Sequence, residues 1–220
     1  MGLKHPIFAR LYDFYMLPQE LWGVRVRRRC VLADAAGTVL ELGVGTGLNL
    51  PLYRRVRVVV GIEPDPHMIR RACRRAGEAH VPIRLVLARG EALPFPDGSF
   101  DTVIATLVFA TIPDATAAAR ELWRVLRSDG TFLFFEHFRS ENRLLAGLQD
   151  AVTPLWRRLL GGCEPNRDII RIFAETGFQV LETTKFRGTF LLHGIARPVL
   201  ASRRDSQMTG KGERSLCGLS

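Results

Sequence analysis

Three glycines, Gly43, Gly45 and Gly47, stand two apart directly after the apolar run Val39-Leu40-Glu41-Leu42, and a carboxylate, Glu41, precedes the first by two residues. That order describes a buried strand, a tight glycine turn and the start of a helix. Glycine is needed where the backbone takes φ > 0 and where a ligand must lie against the main chain. Dinucleotide-binding loops space their glycines G-x-G-x-x-G beneath a diphosphate. Here the third glycine comes one residue early and Leu48 fills the expected position. A loop of this kind, preceded by an acid and closed by Asn49, suits a ligand with an amino-acid moiety, whose ammonium Glu41 and the loop carbonyls would hold.

A second apolar run, Val58-Val59-Val60-Gly61-Ile62, ends in Glu63-Pro64. An acid at the end of the second strand of a nucleotide-binding α/β unit accepts hydrogen bonds from ribose hydroxyls. Ribose joined to an amino acid describes S-adenosylmethionine. Methyl transfer from its sulfonium is an in-line displacement, in which the protein aligns the nucleophile and excludes water. Ligands of an open parallel sheet lie at the carboxyl ends of its strands. Thr106, Leu107, Glu136 and His137 occupy such ends, Thr106 and Leu107 on the cofactor side. His137 is the best base, because an imidazole ionises near neutrality; Glu136 would orient His137 or a substrate proton. Cys163 reads as a buried structural cysteine, since nothing in this chemistry needs an enzyme thiolate.

The elements that must position these groups alternate along the chain. Residues 7–36 read as helical and divided at Pro18. Strands are expected at 38–42, 57–62, 83–87 and 101–106, and a fifth at 131–136 after the turn Ser128-Asp129-Gly130. Helices are expected from Pro66 to about Ala76, capped by Asp65, and from Thr116 to Leu126. Such alternation gives a parallel sheet covered on both faces. A longer amphipathic segment, Asn142 to Leu160, reads as broken near Pro154. A helix from Asn166 to Thr176 and an antiparallel pair of strands, 178–184 and 190–196 with Gly188 in the turn, complete the pattern. The organisation is an N-terminal helical lid (1–36), a catalytic domain (37–200) and a disordered tail (201–220) that has almost no apolar period.

The chain of 220 residues fits one domain with a full core. Its Lys and Arg number 31 against 22 Asp and Glu, a net charge of +9, which points to nucleic acid or anionic lipid. The basic residues are dispersed, however: Arg70, Arg71, Arg74 and Arg75 describe the solvent face of an amphipathic helix, with a denser cluster at Arg25, Arg27, Arg28 and Arg29. No apolar run reaches the ~20 residues that span a bilayer. The N-terminal residues lack a signal core, so a cytoplasmic protein is expected. The four cysteines are far apart and form no C-x-x-C pair, which indicates neither zinc nor a disulfide framework.

Together these segments resemble the class I S-adenosylmethionine-dependent methyltransferases, well over about 39–137 and more loosely to about 196. Leu93-Pro94-Phe95-Pro96-Asp97-Gly98-Ser99-Phe100-Asp101 and Glu121-Leu122-Trp123-Arg124-Val125-Leu126-Arg127-Ser128-Asp129-Gly130 resemble segments of the ubiquinone- and menaquinone-biosynthesis branch. Glu136-His137 and Gly162-Cys163-Glu164-Pro165-Asn166-Arg167 are similar to elements of a thiol methyltransferase-like group. The resemblance implies a Rossmann-like, doubly wound, mostly parallel seven-stranded sheet with an antiparallel final strand, in a single domain. It implies that the N-terminal helix bearing Tyr12 and Tyr15 covers the cofactor. One departure stands out: Arg89 occupies the position where many relatives place an aspartate on the adenine amino group. Arginine cannot accept a hydrogen bond, so adenine falls to Gly90 and Glu91. Asp129 replaces a glycine.

The reaction expected is methyl transfer to a small hydrophobic acceptor: a thiol, a phenol or quinone, or an amino-lipid. Leu144, Leu145, Leu148, Val152, Leu155, Trp156 and Leu159, flanked by Arg143, Arg157 and Arg158, would supply an apolar wall, met at a membrane surface by a peripheral contact. A nucleic-acid methyltransferase is the competing reading. Against it, Ala105-Thr106-Leu107-Val108-Phe109-Ala110 carries no [N/D]-P-P-[Y/F] element, and no Pro-Cys pair serves cytosine C5 chemistry. A cofactor-binding scaffold without turnover is the third, for which Arg89 and Asp129 speak. No metal is expected.

Overall fold

The computed structural model describes residues 6–159, 162–186 and 189–199. Seven strands form one sheet: β1 (Thr38–Leu42), β2 (Val58–Glu63), β3 (Ile83–Leu87), β4 (Phe100–Thr106), β5 (Leu126–His137), β6 (Phe178–Lys185) and β7 (Leu191–Pro198). Their order is β3-β2-β1-β4-β5-β7-β6. β1 to β5 run parallel, and β7 is antiparallel to both β5 and β6. The strand order reverses between β1 and β4, and a crevice opens at such a switch point at the carboxyl edge. Gly188 and the 201–220 tail lie outside the described residues.

Side-chain alternation divides the core into two layers. Leu40 and Leu42 of β1 face one layer, with Ala118, Ala119 and Leu122 of α4 (Ala115–Val125) and Phe173 of α6 (Ile169–Glu175). Phe173 meets Phe132 and Phe134 edge-on at centroid distances of 4.8 and 5.1 Å. Val39, Ile104, Leu133 and Phe135 face the other layer, with Val31 and Leu32 of α2 (Arg25–Ala33) and Ala72 of α3 (Pro66–Ala76). The acids that end the strands therefore divide by parity. Glu41 and His137 share the α2–α3 face, whereas Glu136 follows Phe134 onto the α4–α6 face.

Several elements differ from the sequence reading. The N-terminal helical stretch breaks at Gly23 rather than Pro18: α1 runs Pro6–Gln19 through Pro18, and a wide turn, Glu20–Val24, precedes α2. Gly23 takes φ 106°, which a glycine adopts at little cost. Pro154 does not break α5, which is continuous over Arg143–Leu159. β5 begins at Leu126, because residues 126–130 stay in the strand and a bulge absorbs the extra length against β4. Asp65 caps α3 as expected, accepting from the His67 N–H at 2.7 Å.

Candidate active site

The glycine loop joins β1 to the short turn Leu50–Leu52. Gly43, Gly45 and Gly47 all take positive φ (64°, 56° and 87°). A side chain at Gly43 would strike Val108, and one at Gly47 would strike Leu50 and Ala72. At Gly45 a Cβ would meet nothing within 4 Å, so the backbone there lines open space that a ligand can approach. Beside it, Glu63 is 8% exposed. Its Oε2 accepts from the Gly45 N–H and its Oε1 from the Asp65 N–H, each at 3.0 Å. Burial outweighs these hydrogen bonds and pushes the carboxyl up to about 7. Both oxygens keep lone pairs for further donors, as a ribose diol requires. An open glycine cradle with a fixed acid on its rim fits S-adenosylmethionine. Pro64, next to it, is exposed.

Glu41 is 1% exposed and enclosed by donors of the chain itself. Oε1 accepts from Asn49 Nδ2 at 2.9 Å, and Oε2 from the Tyr53 hydroxyl at 2.8 Å. Burial raises its pKa, opposed by Tyr53, Asn49 and Arg28. Asn49 also donates to Thr106 Oγ1 at 2.9 Å, and Arg28 Nη1 donates to Asn49 Oδ1 at 3.0 Å and Thr106 Oγ1 at 3.1 Å. Arg28 Nε pairs with Glu20 at 2.9 Å. The structure thus brings Glu41, Asn49 and Thr106 together and adds Arg28. In the sequence Arg28 is one of four neighbouring arginines on a solvated face. Only the helical phase of α2, which puts it one turn before Val31 and Leu32, distinguishes it.

Helix α1 is tied down by Asp13. Its carboxylate accepts from the Thr46 hydroxyl at 2.7 Å and from Arg75 Nη2 at 2.9 Å, while Arg75 Nη1 also reaches the Thr46 carbonyl at 2.7 Å. Helix α1, the glycine loop and α3 are thereby one hydrogen-bonded unit. Tyr12 lies within the field of Arg28 and Glu63, and burial pushes its hydroxyl up to about 12. Tyr15 faces solvent.

After β3, Arg89 turns outward and pairs with Glu91 at 3.2 Å. Burial acts to raise the Glu91 carboxyl, but Arg89 and backbone hydrogen bonds hold it below the ordinary range. Gly90 is buried, and a side chain there would meet Leu42. Asp129 pairs with Arg127 on the exposed first residues of β5, at the opposite end of the strand from this edge.

The loop following β4 is braced from several sides. Leu107 takes φ 55°, a conformation costly for a non-glycine residue. Its N–H donates to the Phe135 carbonyl at 2.8 Å. Glu136 Oε1 accepts from the Val108 and Phe109 N–H groups at 2.7 and 3.0 Å. Arg167 donates to the carbonyls of Phe109 and Ile112 and pairs with Glu164 at 2.8 Å, and the Glu164 N–H reaches the Ala110 carbonyl at 2.7 Å. Glu136 and the Gly-Cys-x-x-x-Arg element therefore converge on this loop. Glu136 does not orient His137, because consecutive strand residues point to opposite faces. Burial raises Glu136 to about 7 and its Oε2 has no hydrogen-bond partner among the described residues. His137 Nδ1 is likewise buried and unpartnered among the described residues, and desolvation pushes the ring down to about 4. Cys163 is buried; desolvation first, then Glu136, push its thiol up to about 11, so it is no thiolate.

Fold and site together define a protein of the nucleotide-binding α/β class, with a glycine loop and strand-end acids at the point where the strand order reverses. Residues 40–134 match a family model described as "Methyltransferase domain". The chain is 34% identical over 150 residues to a phosphatidylethanolamine N-methyltransferase of Cereibacter sphaeroides, covering 67% of this chain and 73% of that one. It is 32% identical over 149 residues to a thiol S-methyltransferase of Homo sapiens, covering 66% and 61%. It therefore spans less than two thirds of the human protein. A demethylmenaquinone methyltransferase of Thermus thermophilus is 38% identical over 120 residues, or 51% and 54% of the two chains. Among solved structures, a putative methyltransferase of Bacillus halodurans superposes with TM-score 0.67 at 15% identity, covering 81% of this chain and all of that one. The chain belongs to the S-adenosylmethionine-dependent methyltransferases.

Proposed function

We propose that this methyltransferase acts on a small apolar acceptor presented at an anionic lipid surface, the acceptor being a thiol, a phenol or quinone, or an amino-lipid. One observation carries this: large apolar side chains are exposed on the elements that rim the carboxyl edge. On the N-terminal helical unit Phe14, Leu21 and Trp22 are 77%, 75% and 88% exposed, and on α5 Leu144 is 85% exposed. Leu148 and Leu155 of α5 are exposed with them, and Arg25, Arg29, Arg143, Arg157 and Arg158 interleave on the same elements. Apolar side chains among arginines are the composition that binds an anionic interface. No described helix is long and apolar enough to cross a membrane.

The relatives named above support the three acceptor classes. S-adenosylmethionine supplies an electrophilic methyl group; the residues of the chain hold it, shape the acceptor's approach and take up a proton. Glu63 and the glycine loop hold the adenosyl end. Glu136, Arg167 and Glu164 fix the loop 107–112 as one wall, so Glu136 serves as a positioning residue. His137, neutral above about pH 4, is the acceptor's base, with Nδ1 free of competing partners among the described residues. A base of such low pKa suits an acceptor that ionises readily, of which a thiol near 8.5 is the best example.

The test is transfer of labelled methyl groups to thiols, phenols, demethylated quinones and phosphatidylethanolamine, each with and without anionic vesicles. Label in one of these classes, increased by vesicles and reduced in a Leu21→Ser/Trp22→Ser variant, is expected. Label in RNA or DNA with none in the small acceptors would overturn the reading, and indifference to vesicles would remove its lipid-surface part.

A further inference from the structure

Among arginines whose side chains are described as buried or half-buried, Arg27 alone has no carboxylate. The others each have one: Arg28 pairs with Glu20, Arg71 and Arg75 with Asp13, Arg124 with Glu121, and Arg167 with Glu164. The guanidinium of Arg27 instead lies over the ring of Phe186, 4.1 Å from its centroid. It makes no hydrogen bond or ion pair with a described residue. We propose that Arg27, seated on Phe186, holds an anionic group of the acceptor, phosphate or carboxylate, about 4–6 Å from the nucleophile that is methylated. The inference rests on the reading of this edge as the acceptor site with His137 as its base.

Sheet register places Arg27 beside His137. His137 of β5 lies opposite Leu191 of β7, and the Phe186 N–H donates to the Leu191 carbonyl at 3.0 Å. His137, Leu191 and Phe186 are therefore a row across three neighbouring strands at the carboxyl edge. Phe135, Leu191 and Phe186 pack in the α2–α3 layer, and His137, two residues after Phe135, points to the same face. Helix α2 begins at this edge, since Arg28, next in sequence, reaches Thr106 at the end of β4. The Arg27 side chain runs back toward the start of the helix, where a Cβ on Gly23 would stand 3.2 Å from its Nη1. Two strand spacings, about 10 Å, separate His137 from Phe186. A hydrogen bond at each end takes up about 3 Å. The remainder is the span of a nucleophile and an anion joined by two or three carbons.

The chemistry of the pair supports an anion. Drawing a guanidinium partly out of water without a counter-charge is costly, and the ring beneath it offsets part of that cost. The ring occupies the side of the guanidinium that faces the protein and uses none of its N–H groups. All five remain for an acceptor, and two parallel ones match a carboxylate or phosphate bidentately. The platform itself is fixed. Phe186 meets Phe135 and His193 edge-on at centroid distances of 5.7 and 5.2 Å. Arg27 is thus held in place by packing while its hydrogen-bonding capacity stays unspent, as a specificity residue requires.

Calorimetric titration of the full chain loaded with S-adenosylhomocysteine tests this with two soluble pairs: mercaptopropionate against mercaptopropanol, and glycerophosphoethanolamine against aminoethoxyethanol. Within each pair the nucleophile is shared and one member carries the anion, a carboxylate in the first and a phosphodiester in the second. No vesicles are present, so attraction to an anionic surface does not enter. The wild-type protein should bind the anionic member of at least one pair about 10–100-fold more tightly than its neutral partner, the worth of a charge-assisted hydrogen-bond pair. The pair that shows the preference tells carboxylate from phosphate. Arg27→Met should remove it, with affinities for the neutral member and for S-adenosylhomocysteine within about twofold of wild type. Arg27→Lys, which keeps the charge and loses the planar fork, should recover part of it. Phe186→Leu, which keeps Arg27 and removes its platform, should lose part of it. Equal wild-type affinity for both members of both pairs, or binding of neither pair, would overturn the proposal. So would a preference that survives Arg27→Met, or a loss in that variant equal for charged and neutral members. Transfer of labelled methyl to none of the thiols, phenols, quinones and amino-lipids would instead refute the functional reading beneath it.

Discussion

Replacing Glu136 with glutamine separates the charge of this residue from its bracing of the loop. The carboxyl is fully buried. Burial is the dominant influence on it, opposed by the Phe109 and Val108 N–H groups and by Arg28, and it lifts the pKa from 4.5 to about 7. A carboxyl whose folded pKa is raised contributes its full stability below about pH 4.5 and loses it as pH rises through 7. That rise is worth about 3 kcal/mol across the window. Glu136→Gln keeps an oxygen for the Val108 and Phe109 N–H groups and cannot ionise. Its amide NH2 takes the place of the unpartnered Oε2 and costs about 1–3 kcal/mol at every pH, a constant that cancels when pH values are compared. Urea unfolding of both proteins between pH 4.5 and 8 is the assay. Wild-type stability should fall relative to the variant by about 3 kcal/mol from the acid to the alkaline end. Glu63, also raised to about 7, titrates in the same window in both proteins and leaves that difference intact. Parallel pH curves for wild type and variant would mean that Glu136 is not a desolvated carboxyl, and the bracing assigned to it would have to be rethought.

Gly45→Val should abolish S-adenosylhomocysteine binding by calorimetry, since it fills the open cradle and forces a branched side chain to φ 56°; binding within tenfold of wild type would refute the cradle. Glu63→Ala should weaken the same ligand by about 1–3 kcal/mol, and an unchanged affinity would show that the ribose is held elsewhere. Asp13→Ala removes the ties to Thr46 and Arg75 and should speed dissociation of S-adenosylhomocysteine in stopped-flow measurements; an unaltered off-rate would mean that α1 is no lid. His137→Ala should lower turnover by roughly 10²–10⁴ with cofactor affinity intact. The wild-type pH profile should then have its enzyme limb near 4, and a limb that follows the acceptor's pKa and survives the mutation would remove His137 from the mechanism.

Much of this architecture was legible because alternation and turn chemistry write it locally. Apolar runs of strand length and the Asp65-Pro66 cap placed β1 to β4 and α3 within a residue or two. The glycine spacing and the two acids after strands were likewise readable, because each property belongs to a few neighbouring residues. What could not be read was partnership across the chain. Arg28 looks like its three basic neighbours until α2 packs on the sheet and buries it against Asn49 and Thr106. The sequence gives Glu41 to a ligand's ammonium, whereas in the structure its oxygens engage Asn49 and Tyr53. The adjacency of Glu136 and His137 suggested cooperation, but strand geometry sends them to opposite faces. The proline signals misled for a related reason. Pro18 and Pro154 remain inside helices, and the N-terminal break falls at Gly23, where a positive φ comes at less cost.

The central claim is that the crevice at the ends of β1, β2 and β4 holds an adenosyl–amino-acid cofactor, and ligand calorimetry on the full chain tests it most directly. The structure predicts saturable one-site binding of S-adenosylmethionine and S-adenosylhomocysteine, lost in Gly45→Val, and no heat with NAD. Saturable binding of NAD with none of S-adenosylhomocysteine would contradict it.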